Sequence, residues 1–459
     1  MDAATQNDLD LISKLTDRYD HNNSDNLKKI STYCQNKNPF RTSFGQRYLD
    51  RINSLISGNE VDKTCILCQK KPSTDGVFCP MCKKAIAQFS SAKSGTGALE
   101  SSKNSSAATS QNVTSGEKNV SAQSIKRGVQ GAMNTVTSKI NTMAGGDGAV
   151  ELRIRDLFSD VFKRHSVGES DKIFICGTSL TTPDRTNISA EWPHPWLYSR
   201  IFILFFVAFL LLSLGYVVFQ NLNLLPGIIF TGSCFLPFAV LMFFFEVNAP
   251  RNISIFRTVQ VFLIGGVFSL LVTLLLFLIT PETGAGFLEA IFVGIVEEIG
   301  KLIVVGVYIK KIKGRRFILN GMLYGAAVGT GFAVFESAGY AMRYLSYGGF
   351  GEMMNVIIVR AILSPGGHIA WAAISGAALM IVLKQEDEFS WSVVKDPKFL
   401  RLFMIPVILH AVWDMPLPDI YLFNLIPVFE IILGIIAWVV VLVLLHRGLE
   451  EVNSIIRKP

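Results

Sequence analysis

Residues 290–309 read AIFVGIVEEIGKLIVVGVYI. The stretch is apolar and long enough to span a bilayer, yet Glu297, Glu298 and Lys301 stand near its middle, where a charge facing lipid is costly; these side chains must face protein. Helical spacing puts Glu297 four residues and Glu298 three residues before Lys301, so one ammonium reaches both carboxylates and holds at least one ionised. A structural ion pair locking two helices satisfies the same spacing. So does a membrane site that keeps a usable base.

The whole chain fits that solvent. Of its 459 residues 50% are hydrophobic and 17% charged, and the mean hydropathy is +0.39, too apolar for a soluble globular protein of this size. The expected fold is an all-α polytopic membrane protein. Apolar runs at about 197–219, 224–245, 258–280, 287–309, 318–342, 357–383, 399–415 and 424–445 make about eight transmembrane helices, the sixth broken by Ser364-Pro365-Gly366-Gly367. A broken helix is tolerated in a membrane only where protein or a watery cavity satisfies the freed backbone groups. Lys and Arg fall in alternate loops: Arg251 and Arg257, KKIKGRR at 310–316, the 384–401 loop and the tail lie on one side, with Arg343 the exception. That bias places both termini in the cytoplasm of a multi-pass cell-membrane protein. The chain opens without a signal-peptide pattern. The net charge of +7 reads as positive-inside bias, and nucleic acid is not an expected partner.

Ahead of the spans the chain is polar. Residues 1–60 form an N-terminal segment with a helical-looking stretch at Gln46–Ile56. Residues 61–86 hold Cys65-x2-Cys68 and Cys79-x2-Cys82, two knuckles on a turn with Pro72, Asp75 and Gly76, the spacing of a zinc ribbon. Four thiolates close the coordination sphere, so this zinc is expected to be structural and the ribbon to dock an unknown cytoplasmic partner; a disulfide pair is disfavoured in a reducing cytoplasm. Residues 87–150, rich in Ser, Gly, Ala, Asn and Thr, read as a disordered linker. Residues 151–190 read as a juxtamembrane segment, with apolar residues at 154, 157, 158, 161 and 162 predicting an amphipathic helix over 151–164. Trp192, Trp196 and Tyr198 read as interfacial anchors, and His194, between two prolines, as non-functional. Residues 191–446 form the membrane domain and 447–459 a cytoplasmic tail.

Glu336, His368, His410 and Asp414 join the Glu-Glu-Lys set inside the spans. Gly321, Gly325 and Gly329 make a small-residue packing face, with Phe332, Glu336 and Tyr340 as a stripe beside it; Glu336 is a candidate partner of Arg343. His410 and Asp414, four apart, share a helix face, so the carboxylate can orient the imidazole. At about 1.5 Å per residue, Glu297, Glu336, His368 and His410 all fall in the outer half of the bilayer although their helices alternate in direction. Scattered structural residues have no reason to agree in depth, so one shared, water-accessible site is expected. Carboxylates and histidines without a Cys or Ser nucleophile suit activation of water, by a glutamate base or by a divalent metal held on His and Glu.

Glu297-Glu298-x-x-Lys301, Phe332-x-x-x-Glu336, His368 and His410-x-x-x-Asp414 occur in order over residues 190–445 and resemble the motifs of the PrsW family of intramembrane proteases, related to the CAAX-prenyl and bacteriocin-processing proteases. Lys301, Glu336 and Asp414 stand where the wider superfamily has Arg, His and Asn, and fit the PrsW branch. The resemblance implies regulated intramembrane proteolysis of a membrane-anchored regulatory protein, such as an anti-sigma factor, near the outer face. Within the site the expected roles are Glu297 as water-activating base, Glu298 and Lys301 as its electrostatic support, His368 and His410 as oxyanion stabilisers or metal ligands oriented by Asp414, and Glu336 as a second acid or ligand. Two other functions fit buried Glu and His residues on broken helices: an ion- or proton-coupled transporter, and a non-catalytic scaffold whose ribbon recruits a partner. Transporters commonly repeat their architecture, and helices one to three do not repeat the helix-four to helix-seven pattern.

Overall fold

The computed structural model describes Ile12, Leu15, residues 23–37, 43–57, Cys65, Val77, Phe78, and residues 122–178, 180–184, 187–280, 286–312, 316–383, 390–418, 420–423 and 425–456. The chain divides into two compact units, 1–117 and 118–459.

In the first unit α1 (Ser24–Lys37) and α2 (Ser43–Ile56) pack together. α2 includes the helix expected at Gln46–Ile56. Leu27, Ile30, Tyr48 and Ile52 close a small core with Ile12, Leu15, Cys65, Val77 and Phe78, and Ser31 Oγ donates to Asn53 Oδ1 at 2.7 Å. Of the four ribbon thiols, Cys65 is buried in this core; Cys68, Cys79 and Cys82 lie outside the described residues, and so does the ribbon as a whole.

The second unit is helical. It runs α3 (Ala122–Met143), α4 (Val167–Phe174), α5 (Leu197–Phe219), α6 (Leu225–Glu246), α7 (Ile255–Phe277, with a π turn at Val261–Gly265), α8 (Phe287–Lys310), α9 (Ile318–Leu363), α10 (His368–Val382) and α11 (Pro397–Trp413). A small hairpin pairing β1 (Tyr421–Leu422) with β2 (Ile426–Pro427) leads into α12 (Val428–Ile456). Among the described residues five stretches are long and apolar enough to cross a membrane, against the eight expected: Leu197–Phe219, Leu222–Glu246, Ile255–Phe277, Ile318–Val382 and Val428–Ile456. The difference has physical causes. α8 carries Glu289, Glu297, Glu298, Lys301 and Lys310, α11 has only 17 residues, and residues 318–382 form one continuous hairpin.

That hairpin is the centre of the unit. α9 turns back on itself at Gly349, whose φ of 75° is the left-handed conformation that favours glycine. The returning arm breaks at Ser364–Gly366 and continues as α10. A Cβ on Gly321, Gly325 or Gly329 would collide with the carbonyl oxygens of Gly376, Ala372 and His368 respectively, so the expected small-residue face lets α9 and α10 approach backbone to backbone.

Four local expectations are corrected. The second half of the expected linker is α3, whose Ile140, with Ala144 just beyond its end, joins the core cluster shared with α12, while Arg447 donates to the Gly145 carbonyl at 3.2 Å; the helix is held at its C-terminal end, where Thr137, Ile140 and Asn141 are buried, and Val129, Met133 and Val136 stay exposed. Residues 151–164 form turns with a 3₁₀ turn at Asp156–Phe158, not an amphipathic helix. The helix of that region is α4, started by a capping box between Ser166 and Glu169, and Phe162 is left 93% exposed. Trp192 and Trp196 are buried in protein instead of anchoring at an interface: Trp196 stacks on His165, ring centroids 3.7 Å apart, and Glu246 accepts from the backbone N–H of Trp196, Leu197 and Tyr198 at 2.8–2.9 Å, closing the start of α5. α12 runs eleven residues beyond its expected end at 445, and Glu451 accepts from the N–H of Ile318 at 2.7 Å.

Candidate active site within the helix bundle

Glu297, Glu298 and Lys301 of α8 lie on the face turned into the bundle, while Glu289 and Lys310 near its ends are exposed. Lys301 and Glu298 are fully buried and Glu297 nearly so. Lys301 Nζ lies 2.7 Å from Glu298 Oε1 and 3.5 Å from Glu297 Oε2, so the ammonium reaches both carboxylates as the spacing requires. Its third partner comes from the start of α10, His368 Nδ1 at 2.8 Å. Phe332 of α9 covers it, the ring centroid 4.3 Å from Nζ.

From this pair a hydrogen-bonded chain extends in both directions. His368 Nε2 lies 3.0 Å from Glu336 Oε2, and Glu336 is clasped by Arg360 on the returning arm of α9. Arg360 also donates from Nε to Ser337 Oγ at 2.9 Å and lies over the Tyr340 ring. In the other direction His410 Nδ1 of α11 lies 2.9 Å from Glu298 Oε1. Its Nε2 faces Glu297 Oε2 at 3.5 Å and Asp414 Oδ2 at 3.4 Å. Trp371 stacks on the His410 imidazole, centroids 4.5 Å apart, so that ring cannot turn over.

Every membrane residue expected at the site therefore belongs to one cluster. Glu297, Glu336, His368, His410 and Asp414, with Tyr340, Arg360 and Trp413, line a cleft of about 400 Å³. Two expected contacts come out differently. The carboxylate that orients His410 is Glu298, one helix away, while Asp414 stands beside the opposite ring nitrogen. The partner of Glu336 is Arg360, not Arg343, because the turn at Gly349 brings residue 360 back beside 336. Arg360 lines the cleft without belonging to the expected set. Its signal was present: a lone arginine in the apolar run NVIIVRAIL just before the helix break, where an intramembrane charge needs a partner.

Glu297, His368 and His410 each offer a donor atom within 4.8 Å of the others. A mixed imidazole and carboxylate set suits zinc or a similar divalent ion, and Glu298 Oε2, buried without a hydrogen-bond partner, leaves negative charge in the wall behind it. Glu297 and His410 fit such an ion, and His368 would have to give up its contact with Lys301 or Glu336 to join them.

Residues 254–445 match the family model of the PrsW family intramembrane metalloproteases. The PrsW-like region takes in α7 to α11 and most of α12, hence every residue of the cleft, and it supports intramembrane protease activity. α3 to α6 and the first unit lie outside it. No curated protein and no solved structure matches the chain.

Proposed function

We propose that this protein hydrolyses a peptide bond of a membrane-anchored regulatory protein, using water activated in the cleft by Glu297. The observation that carries the reading is the convergence of side chains from α8, α9, α10 and α11 on one cleft in a chain with several membrane-spanning helices.

The two neighbouring glutamates are suited to different tasks. Glu298 is fully buried and bonded to both Lys301 and His410, so it fixes the His410 tautomer. Glu297 lines the cleft with no charged partner nearer than 3.5 Å, which leaves it free to take a proton from water. Glu336 is engaged by Arg360 and His368 and serves as an anchor, not a second acid. His368, donating from Nε2 to Glu336 and accepting from Lys301, holds the ammonium in place, and the cationic Lys301 and Arg360 set a positive field in which an oxyanion is stabilised. A divalent ion bound in this cleft would add Lewis-acid polarisation of the water and of the scissile carbonyl.

The same reading takes α8 and α11 as membrane-crossing despite their charge and length, giving eight crossings with both termini cytoplasmic and the cleft toward the outer face. The four cysteines form a structural zinc ribbon that recruits a cytoplasmic partner, and the substrate resembles an anti-sigma factor.

Cleavage of single-span candidate substrates by the purified protein tests the assignment. Glu297→Gln is expected to cut the rate by about 10²–10⁴-fold with folding retained. Glu298→Gln is expected to lower thermal stability, because Lys301 loses its 2.7 Å partner, and Glu298→Gln with Lys301→Met to recover part of it. A Glu297→Gln protein that cleaves at the parent rate would sink the base assignment.

A further inference from the structure

A groove of about 610 Å³ runs along α12 and shares no lining residue with the cleft. Phe243 of α6 and Ile362 and Pro365 of the returning arm form its walls, and Leu152, Ile154 and Phe158 stand at the end where α5 begins and α6 stops. The lining is apolar apart from Tyr198, Trp438 and Glu430. Tyr198 donates its hydroxyl proton to the Leu157 carbonyl at 3.2 Å, and Trp438 Nε1 donates to that of Pro365 at 3.0 Å. Glu430 stands at the far end, one turn into α12.

The groove has the length of one leaflet. From Glu430 to Leu442 it follows about twelve residues of α12, roughly 18 Å at 1.5 Å per residue. Half of a hydrocarbon core of about 30 Å is ~15 Å, whereas a membrane-spanning helix needs the whole of it. The end at Leu152 to Phe158 is basic, with Arg153, Arg155, Lys163, Arg164 and Arg200 against Glu151, Asp156 and Asp160. Asp156 and Asp160 are taken by Arg153 and Lys163 at 3.1 and 2.6 Å, and Arg200 donates to the Lys163 carbonyl at 3.0 Å. Among the described residues Arg155 and Arg164 are exposed and have no acidic partner. Ile154 and Phe158, in the same turns, are 51% and 54% exposed. An apolar groove one leaflet long beneath a surplus of arginine matches an acyl chain under an anionic headgroup.

We infer that this groove binds one acyl chain of an anionic phospholipid from the surrounding bilayer, its headgroup held at the basic end by Arg155 with Arg153 beside it. The chain lies against Pro365 and Gly366, the break from which α10 starts at His368.

Photolabelling tests the site without recourse to cleavage. The full-length protein is placed in phosphatidylcholine nanodiscs with a small fraction of either phosphatidylglycerol or phosphatidylcholine carrying a photoreactive group on one acyl chain, and labelled peptides are identified by mass spectrometry. Phosphatidylglycerol is expected to label residues 152–158 and 431–442 about 10-fold more than phosphatidylcholine does, and unlabelled phosphatidylglycerol to compete saturably. Arg153→Gln combined with Arg155→Gln should lower that preference on the order of 10-fold. Ile435→Trp, which fills the groove from a position 59% exposed, should remove the labelling. Thermal unfolding in the same nanodiscs verifies folding. Should Ile435→Trp not fold, Ile431→Trp takes its place, and raised salt, which screens the attraction between arginine and headgroup, stands in for the arginine variants. Equal labelling by the two lipids, or labelling of the groove no denser than that of the exposed face of α5, means ordinary bilayer contact and overturns the site. Displacement of the label by a single-span peptide but not by unlabelled phosphatidylglycerol would assign the groove to a membrane helix and overturn the lipid as its occupant.

Discussion

α5 and the α9–α10 hairpin are both apolar enough to cross a membrane, yet 6% of the most apolar window of the first is buried inside the protein and 94% of the second. In a soluble protein such a difference would show as an amphipathic stripe. Here it does not, because lipid tails are as apolar as a leucine side chain and a lipid-facing helix has no reason to carry a polar face. What separates the two is residue size and polarity. The hairpin carries Gly321, Gly325, Gly329 and Gly376 at its contact and Glu336, Arg360 and His368 at the cleft, whereas α5 exposes Leu204, Leu211, Leu214 and Val218. At the α9–α10 contact burial is marked by glycines, and at the cleft by charged residues and histidine.

The sharpest way to break that comparison is Gly325→Leu. Its Cβ would strike the Ala372 carbonyl, a backbone atom that cannot move aside while α9 and α10 stay packed. The cost is expected to exceed the ~1–3 kcal/mol of ordinary overpacking, and the substitution should abolish recovery of monodisperse protein on size-exclusion chromatography. Recovery at the parent yield would show that the hairpin is not tightly held. Next in size is Arg360→Met, which leaves Glu336 without its guanidinium partner. A clear fall in thermal stability is expected, with Glu336→Gln on top of it restoring part of the loss through a coupling of about 0.5–3 kcal/mol. Additive losses in the double variant would mean that the two side chains do not interact.

These features were unequally legible. The length of the apolar runs marked the helices, and the paired glutamates with Lys301, the histidines and the glycine repeat were all readable because each lies within one or two turns of a single helix. Contacts between helices were not. Glu298 and His410 are 112 residues apart and Glu336 and Arg360 are 24 apart, and the second pairing depends on a turn at Gly349 that sits inside an otherwise helical stretch. His410 and Asp414 share a helix face as expected, but a shared face does not say which ring nitrogen a carboxylate meets. α3 is not legible because its apolar residues are diluted by Ser, Thr, Asn and Gly and what is buried at its C-terminal end is mixed, Thr137 and Asn141 beside Ile140.

The smallest expected effect tests the other half of the comparison. Leu211 on α5 is 64% exposed, whereas Leu323 in the hairpin is fully buried. Truncating Leu323 to alanine removes packed atoms and leaves a cavity, and because the surroundings are apolar in both the folded and the dispersed state, the loss consists of contact and cavity terms, toward the lower end of the usual ~2–5 kcal/mol. Truncating Leu211 removes only lipid contacts that the neighbouring acyl chains remake, so its effect should stay within about 0.5 kcal/mol. Thermal unfolding of the two variants in the same lipid nanodiscs makes the comparison directly. A Leu211→Ala protein as destabilised as Leu323→Ala would mean that α5 packs against protein on that face, which in a membrane makes it a contact with a second polypeptide and not a lipid boundary.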